Sequence, residues 1–260
     1  NGNLSIYGTA GLSMIKYSYV NHFKTSDTLA DGNPDVNSGE LKANTDWISG
    51  YQVKGGLNYN FTESFSAFAN FGYVSKVPIF DNVIDDADGT VAKDPQNETF
   101  VSYEAGAIYT TTDNKINLKA NVYYTTWSDR IFTTSVRLTQ DENGIAFIKG
   151  LDQRHMGFEL EGNYRPIKFI GFGAIASIAN WKYLNDVSAT VKNYDDASGI
   201  VSEEINVYTK DLKVGDAPQT QFAIWTNIYP VQGLNVQFIF RNNSNHYADF
   251  NPVYRQDKDD

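Results

Sequence analysis

A chain of 260 residues can hold one large domain or two small ones, and without a cysteine it has neither a disulfide framework nor a thiolate metal site. The formal net charge of -10 argues against a nucleic-acid partner, which needs a basic surface. No apolar run reaches the ~18 residues that a transmembrane helix requires. No start methionine and no basic-then-apolar leader opens the chain at Asn1, so it reads as a mature product or an excised piece.

In chain order, Leu4, Ile6, Gly8, Ala10, Leu12 and Met14 share one parity, and the phase slips near Ile15. Residues 19–43 read as a polar loop. Trp47, Tyr51, Val53, Leu57, Tyr59 and Phe61 then face one way, with Gln52, Lys54, Asn58 and Asn60 opposite. A tight turn at Thr62-Glu63-Ser64 leads to a strand with Phe65, Ala67, Ala69, Phe71 and Tyr73 on one side. A long loop over 76–99 follows. The next strand aligns Val101, Tyr103, Ala105, Ala107 and Tyr109. After the turn Thr112–Lys115, Ile116, Leu118, Ala120, Val122 and Tyr124 alternate with Asn117, Lys119 and Asn121. Residues 128–153 are polar and suggest an extension hairpin, Ile131–Leu138 against Ile145–Ile148, around Glu142-Asn143-Gly144. Met156, Phe158, Leu160, Gly162 and Tyr164 resume the alternation, and beyond Arg165–Lys168 come Ile170, Phe172, Ala174, Ala176 and Ile178. Residues 184–217 read as a long acidic loop. The last hairpin carries Phe222, Ile224 and Ile228, turns at Pro230–Gly233, and returns through Leu234, Val236, Phe238 and Phe240.

A period of two means strands with one oily and one wet face. The connections alternate short and long. A soluble sheet has no need of this, whereas an outer-membrane barrel has short periplasmic turns and long external loops. Strands of about 10 residues also fit a tilted crossing. Tyr59, Phe61, Phe65, Tyr109, Tyr164, Phe169 and Tyr229 gather by the short turns, where an aromatic girdle belongs. In-strand glycines, among them Gly56, Gly106 and Gly173, fit curvature. The competing reading is a soluble β-sandwich or lipocalin-like barrel. A sandwich would hide its oily faces and turn every ~8–12 residues. The alternation therefore predicts an all-β fold: an antiparallel, up-and-down transmembrane β-barrel segment of about nine strands from a larger barrel.

Several segments carry a family resemblance. Gly72–Pro78 gives an aromatic-Gly strand ending in a Ser-x-x-Pro-like turn, and Asp94-Pro95-Gln96-Asn97-Glu98 a Pro-to-Glu segment. Tyr103-Glu104-Ala105-Gly106, Val122-Tyr123-Tyr124 with Asp129-Arg130-Ile131, Pro230–Leu234 and Tyr247–Pro252 continue the series. From about Tyr51 onward the chain resembles the barrel of TonB-dependent outer-membrane receptors, particularly Bacteroidetes-like ones. Family members have 22 strands and a plug domain. The resemblance thus implies a fragment covering residues 1–260 as a single partial barrel domain, with plug and terminal strands absent. It also implies uptake of a scarce solute (siderophore, cobalamin or glycan) in the outer membrane of a Gram-negative bacterium. The implied partners are outer-membrane lipid, the TonB complex through the missing plug, and a small-molecule or glycan ligand. A soluble or surface-exposed β-sheet binding module is the alternative function.

No enzymatic signature emerges. Asp85-Asp86-Ala87-Asp88-Gly89 lacks the acidic first ligand and the twelfth-position Glu of an EF-hand, and reads as a solvated loop. Asp195-Asp196 reads alike. His22, His155 and His246 show no zinc spacing. Glu159 and Glu161 share one strand face and could serve glycoside hydrolysis, but lining a wet interior with Lys54, Lys119 and Arg241 explains them better. Neither a Gly-x-Ser-x-Gly motif nor a phosphate-binding glycine loop occurs. No catalytic residue, cofactor or metal is expected. Trp127, Arg130, Tyr183, Tyr194 and Tyr208 lie in the long loops and are the candidate ligand contacts, since aromatics with a few polar groups suit sugars or iron chelates.

Three expectations follow for the fold. Trp47, Tyr51, Val53, Leu57, Phe71, Tyr103, Leu118, Val122, Phe158, Phe172 and Phe238 should face outward, and Lys54, Asn58, Asn70, Glu104, Lys119, Glu159 and Gln237 inward. Arginine should be tolerated at Asn121 but not at Leu118 or Val53. With about nine strands the first and last run the same way, so the sheet should not close on itself.

Overall fold

The parity pattern is realised in one antiparallel sheet. The computed structural model describes residues 3–25, 39–85, 89–139, 142–193 and 201–257. Within them lie β1 (Leu4–Ile15), β2 (Ser18–Thr25), β3 (Glu40–Asn44), β4 (Ile48–Asn60), β5 (Phe65–Lys76), β6 (Glu98–Thr110) and β7 (Ile116–Arg137). The series continues with β8 (Asn143–Ile167), β9 (Ile170–Tyr183), β10 (Val187–Asn193), β11 (Val201–Val207), β12 (Pro218–Val231) and β13 (Leu234–His246). Nine of them form the main path, in the order β1-β4-β5-β6-β7-β8-β9-β12-β13. Neighbours on the path pair antiparallel. Among the described residues β1 and β13 pair with one path neighbour each and not with one another.

All eleven side chains expected to face outward are large, apolar and exposed, from Trp47 on the first hairpin to Phe238 on the last strand. Leu57, Val122 and Ile178, for example, lie in one outward row across the sheet and are all exposed. A sandwich would have buried this face against a second sheet. Here it lies open over the whole nine-strand path, which soluble monomers rarely tolerate. Tyr51 and Tyr59 bound the face on β4. Their eight-position spacing is about 27 Å along a strand and about 21 Å along a membrane normal at ~40° tilt, near the height of a barrel's apolar band. By the short turns, Tyr59 packs edge-on to Phe61 at 4.8 Å and Phe61 tilts onto Phe65 at 5.5 Å. Tyr229 departs from this girdle: it is half-buried, with the Arg165 guanidinium 4.6 Å above its ring.

The opposite face is polar and internally bonded. Asn70 Nδ2 donates to Glu104 Oε2 at 2.9 Å, Asn163 Nδ2 to Glu161 Oε1 at 3.0 Å, and Gln237 Nε2 to Asn227 Oδ1 at 2.9 Å. Asn121 Nδ2 donates to Glu159 Oε2 at 3.1 Å. Asn121 is only 6% exposed, so it is not the freely hydrated position expected, and Asn58 is the better site for a tolerated arginine.

This face also explains the glycines. Tyr7, Phe68, Tyr123 and Trp225 each lie directly across a strand pair from a glycine: Gly56, Gly106, Gly157 and Gly173. Each ring lies over its glycine, in space that a Cβ would fill. At Gly106 a Cβ would sit 2.5 Å from Phe68 Cζ and 2.6 Å from the Ala120 carbonyl oxygen, and backbone cannot swing away. Gly106→Val should therefore lower the unfolding free energy in lipid by about 1–3 kcal/mol. A denaturation midpoint equal to wild type would contradict this packing.

The short turns fall between β4 and β5, β6 and β7, β8 and β9, and β12 and β13. In the β6–β7 turn Asp113 accepts from the Thr111 hydroxyl at 2.7 Å and the Lys115 amide at 3.2 Å, and pairs with Lys115 Nζ at 3.0 Å. These contacts, the Thr111 hydroxyl first, hold its carboxyl down to about 2. A depressed carboxyl supports the turn above its unfolded range, near pH ~4, and that support goes as the pH falls through about 2. Protection of the Lys115 amide, relative to its intrinsic exchange rate at each pH, should thus be high at pH 4 and fall toward pH 2. In Asp113→Asn that protection should be low throughout.

The long connections all lie at the other rim and hold more structure than their composition suggests. The expected 131–138 hairpin exists, with Phe132 opposite Ile148 and Val136 opposite Gly144. It continues β7 and β8 beyond a register shift between Trp127 and Phe132. Residues 184–217, read as loop, contain β10 and β11, and β10 adds to the upper edge of β8. Residues 19–43, also read as loop, include the β2–β3 pair. Val136, Ala146, Ile148, Leu151, Tyr183, Val191 and Val207 form a buried core beyond the barrel strands, capped by Phe250 and Val253. The conventional hydrophobic core thus sits in this outer cap.

Candidate outer-rim ligand site

The site is organised around Glu98, the first residue of β6, which is 3% exposed. Its carboxylate accepts from Lys76 Nζ at 2.9 Å, Trp127 Nε1 at 3.2 Å and the Ile131 amide at 3.4 Å. A buried carboxylate requires such partners. The contacts tie β5, β6 and β7 together where the strands leave the barrel.

A bulge in β7 sets the next layer. The β7–β8 register shifts between Trp127 and Arg130, and Asp129 adopts a left-handed φ of 57°. Bulges re-aim side chains. Here the result is that the Arg130 guanidinium lies 4.7 Å over the Trp127 ring and 5.2 Å over Phe132. Trp127 itself stacks on Phe100 at 4.8 Å. The Arg130 charge also lies near enough to act on the Tyr183 phenol, which donates to Asp249 Oδ1 at 3.3 Å.

Three of the five candidate residues, Trp127, Arg130 and Tyr183, therefore form one connected cluster. Tyr183 is 1% exposed and belongs to the cap core, so its role is to hold the cluster. Tyr208 lies apart, half-buried, with its backbone bonded both ways to Arg255. Tyr194 is outside the described residues. The sequence reading missed Glu98 as a site residue, although it closes the Pro-to-Glu segment that carried the resemblance. It also missed Gln153, fully buried opposite Trp127 on one side and Tyr183 on the other. Gln153 Oε1 bonds His155 Nε2 at 2.9 Å, while its Nε2 has no partner among the described residues.

Beside the cluster, a polar cleft of about 910 Å³ opens at the same rim. Asp46, Trp47, Lys93, Asp94 and Asp129 line it. Asn97 fixes its floor, donating to the Ser49 carbonyl at 2.7 Å and to Ser75 Oγ at 2.8 Å. Among the described residues no group of three or more His, Asp or Glu side chains could hold a metal ion.

An open sheet with an oily outer face, a polar inner face and one structured rim suits an outer-membrane barrel. The family model described as TonB dependent receptor-like, beta-barrel, matches residues 7–259. The chain belongs to the TonB-dependent receptor β-barrel family. That family is at home in the outer membrane of Gram-negative bacteria, so the apolar face is the lipid face of this receptor barrel. Among solved structures, the copper transporter OprC is similar with a TM-score of 0.51 at 13% identity, over 91% of this chain and 40% of OprC. The toluene transporter TodX of P. putida gives a TM-score of 0.44 at 12% identity, over 91% of this chain and 61% of TodX. The receptor-barrel segment thus spans less than half the length of OprC. Among curated protein sequences none matches it. The family and these neighbours are receptors and transporters rather than enzymes.

Proposed function

We propose that this chain is part of an outer-membrane importer that takes up a scarce solute with energy from the TonB complex. The observation that supports it is the nine-strand sheet whose apolar face is open throughout and whose long connections share one rim, in a chain matched to the receptor family over residues 7–259. Among the described residues both edge strands lack a second neighbour, and lipid does not tolerate unpaired backbone. Further strands of the complete protein would pair with β1 and β13, and a plug within the ring would face Glu104, Glu159 and Glu161.

The solute would be captured at the outer rim. Trp127 and Arg130 offer a stacked aromatic-cation surface, and the adjoining cleft supplies carboxylates, amides and the Trp47 ring. Gln153 Nε2 adds a buried donor, which costs roughly 1–3 kcal/mol while unpaired and gains by meeting an acceptor. This suits a hydroxyl-rich or carboxylate-rich solute such as a glycan or a ferric chelate. The test is titration calorimetry on the complete encoded protein in lipid, against ferric chelates, cobalamin and oligosaccharides. One class should bind, and Arg130→Ala should weaken it about tenfold. Unchanged affinity in the variant would remove Arg130 from the site, and no binding in any class would count against import.

A further inference from the structure

The lipid face is not uniform. A groove of about 760 Å³ crosses it from β7 to β13 near the short turns. Its floor is made by Gly162 and Ala174, neighbours in register on β8 and β9. Leu118 and Ile224 continue the same row on either side, and Tyr164 and Phe172 form the wall toward the turns. Leu118 leans over the floor, since a Cβ at Gly162 would meet its Cδ2 at 3.1 Å. Gly162 and Ala174, small residues between Leu118 and Ile224, leave a trough in the face.

Charge is arranged at one end of this trough only. The turns directly beneath it carry Lys115, Arg165 and Lys168, in a chain whose formal net charge is -10. Lys115 follows the β6–β7 turn, and its carbonyl accepts from the Arg165 amide at 2.7 Å, so the two turns are joined. Arg165 Nη2 donates to the Lys168 carbonyl at 3.0 Å and its guanidinium lies 4.6 Å over the Tyr229 ring, so it braces the turn that carries Lys168. The Tyr164 phenol, on the trough wall, lies close enough to act on the Lys115 ammonium. Asp113 is the one carboxylate in these turns, paired with Lys115 at 3.0 Å. A second apolar groove of about 730 Å³, higher on the same face, is bordered by Glu104 and has no such cations.

We propose that the lower groove seats an acyl chain of an anionic glycerophospholipid, whose phosphate is held by Lys115 and Lys168. This rests on the membrane reading above. The short-turn rim of a bacterial barrel faces the periplasm, where the leaflet is phospholipid rather than lipopolysaccharide. Basic clusters beside apolar membrane surface recognise anionic headgroups on this principle, each cation adding to the attraction.

Native mass spectrometry of the complete encoded protein, released from vesicles that contain phosphatidylglycerol, phosphatidylcholine and lipopolysaccharide, tests the assignment. Wild type should retain phosphatidylglycerol in preference to phosphatidylcholine. The double variant K115Q/K168Q should lose that preference by on the order of thirtyfold. K168Q alone leaves the Asp113 pair intact and should lose about fivefold. Ala174→Trp fills the trough and should reduce retention of both phospholipids. Heat-resistant migration of each variant establishes that it has folded. A folded, inserted wild type that holds both phospholipids equally, or holds lipopolysaccharide instead, overturns the lipid site and leaves the barrel reading standing. A complete protein that stays monomeric in plain buffer and does not enter vesicles overturns both.

Discussion

Arginine at Leu118 or Val122 should destabilise the complete protein in a bilayer by about 2–4 kcal/mol. Both side chains are exposed on the apolar face and flank Ala120, midway between Ile116 and Tyr124 on β7. In water such a change would be mild, since it replaces an exposed apolar group with a hydrated one. In lipid the guanidinium must be desolvated or must drag water and headgroups inward, and that cost is greatest near the midplane. Asn58→Arg is the matched control. Asn58 lies on the polar face, half-exposed, with its amide donating to Asn60 at 3.1 Å. It should cost well under about 1 kcal/mol, in keeping with surface changes away from packed features. Urea unfolding in phospholipid vesicles, read by tryptophan fluorescence, measures the difference. Equal effects at Val122 and Asn58 would mean that the two faces meet the same medium.

The second large effect belongs to Glu98. Removing it strands three donors at once: Lys76, the Trp127 indole and the Ile131 amide. Truncating one member of a fully buried pair costs roughly 3–5 kcal/mol. Lys76 is 44% exposed and recovers water, so about 2–3 kcal/mol is expected for Glu98→Ala. Glu98→Gln keeps one acceptor oxygen for Trp127 and should lose about half as much. The damage should be local. Hydrogen exchange should quicken around residues 98–100 and 127–132, with little change in the short turns. A uniform loss of protection would show that Glu98 supports the whole barrel rather than the rim.

How much of this was legible follows from what each element answers to. Strands that lie between lipid and water must alternate, so Leu118, Val122 and their neighbours declared their face by parity alone. Register followed, because a slip of one residue would have turned every oily side chain inward. The outer cap was harder. β10 and β11 contain Thr190, Lys192, Glu203 and Glu204, and they pack one face on a small core while the other meets water. Their short alternations are diluted by charge, and residues 184–217 looked like loop. Asn121 was misjudged for a different reason. Its parity was right, but its burial depends on the side chains beside it and on Glu159, which no single strand reveals. Glycine positions were visible without their cause. That Gly106 makes room for Phe68 depends on which strands are neighbours. At the rim, Trp127 and Arg130 were found by type, whereas their stacking depends on a bulge at Asp129 that has no strong signature.

The central claim is that one face of this sheet meets lipid and the other water. Spin labels placed singly at positions 117 to 124 of β7, in the complete encoded protein in phospholipid vesicles, test it most directly. Collision with oxygen, which concentrates in lipid, should peak at 118, 120, 122 and 124. Collision with a water-soluble nickel chelate should be lowest there and higher at the odd positions, in an alternation of period two. If both reagents are excluded from the even positions, the apolar face is buried against protein and the membrane barrel is wrong.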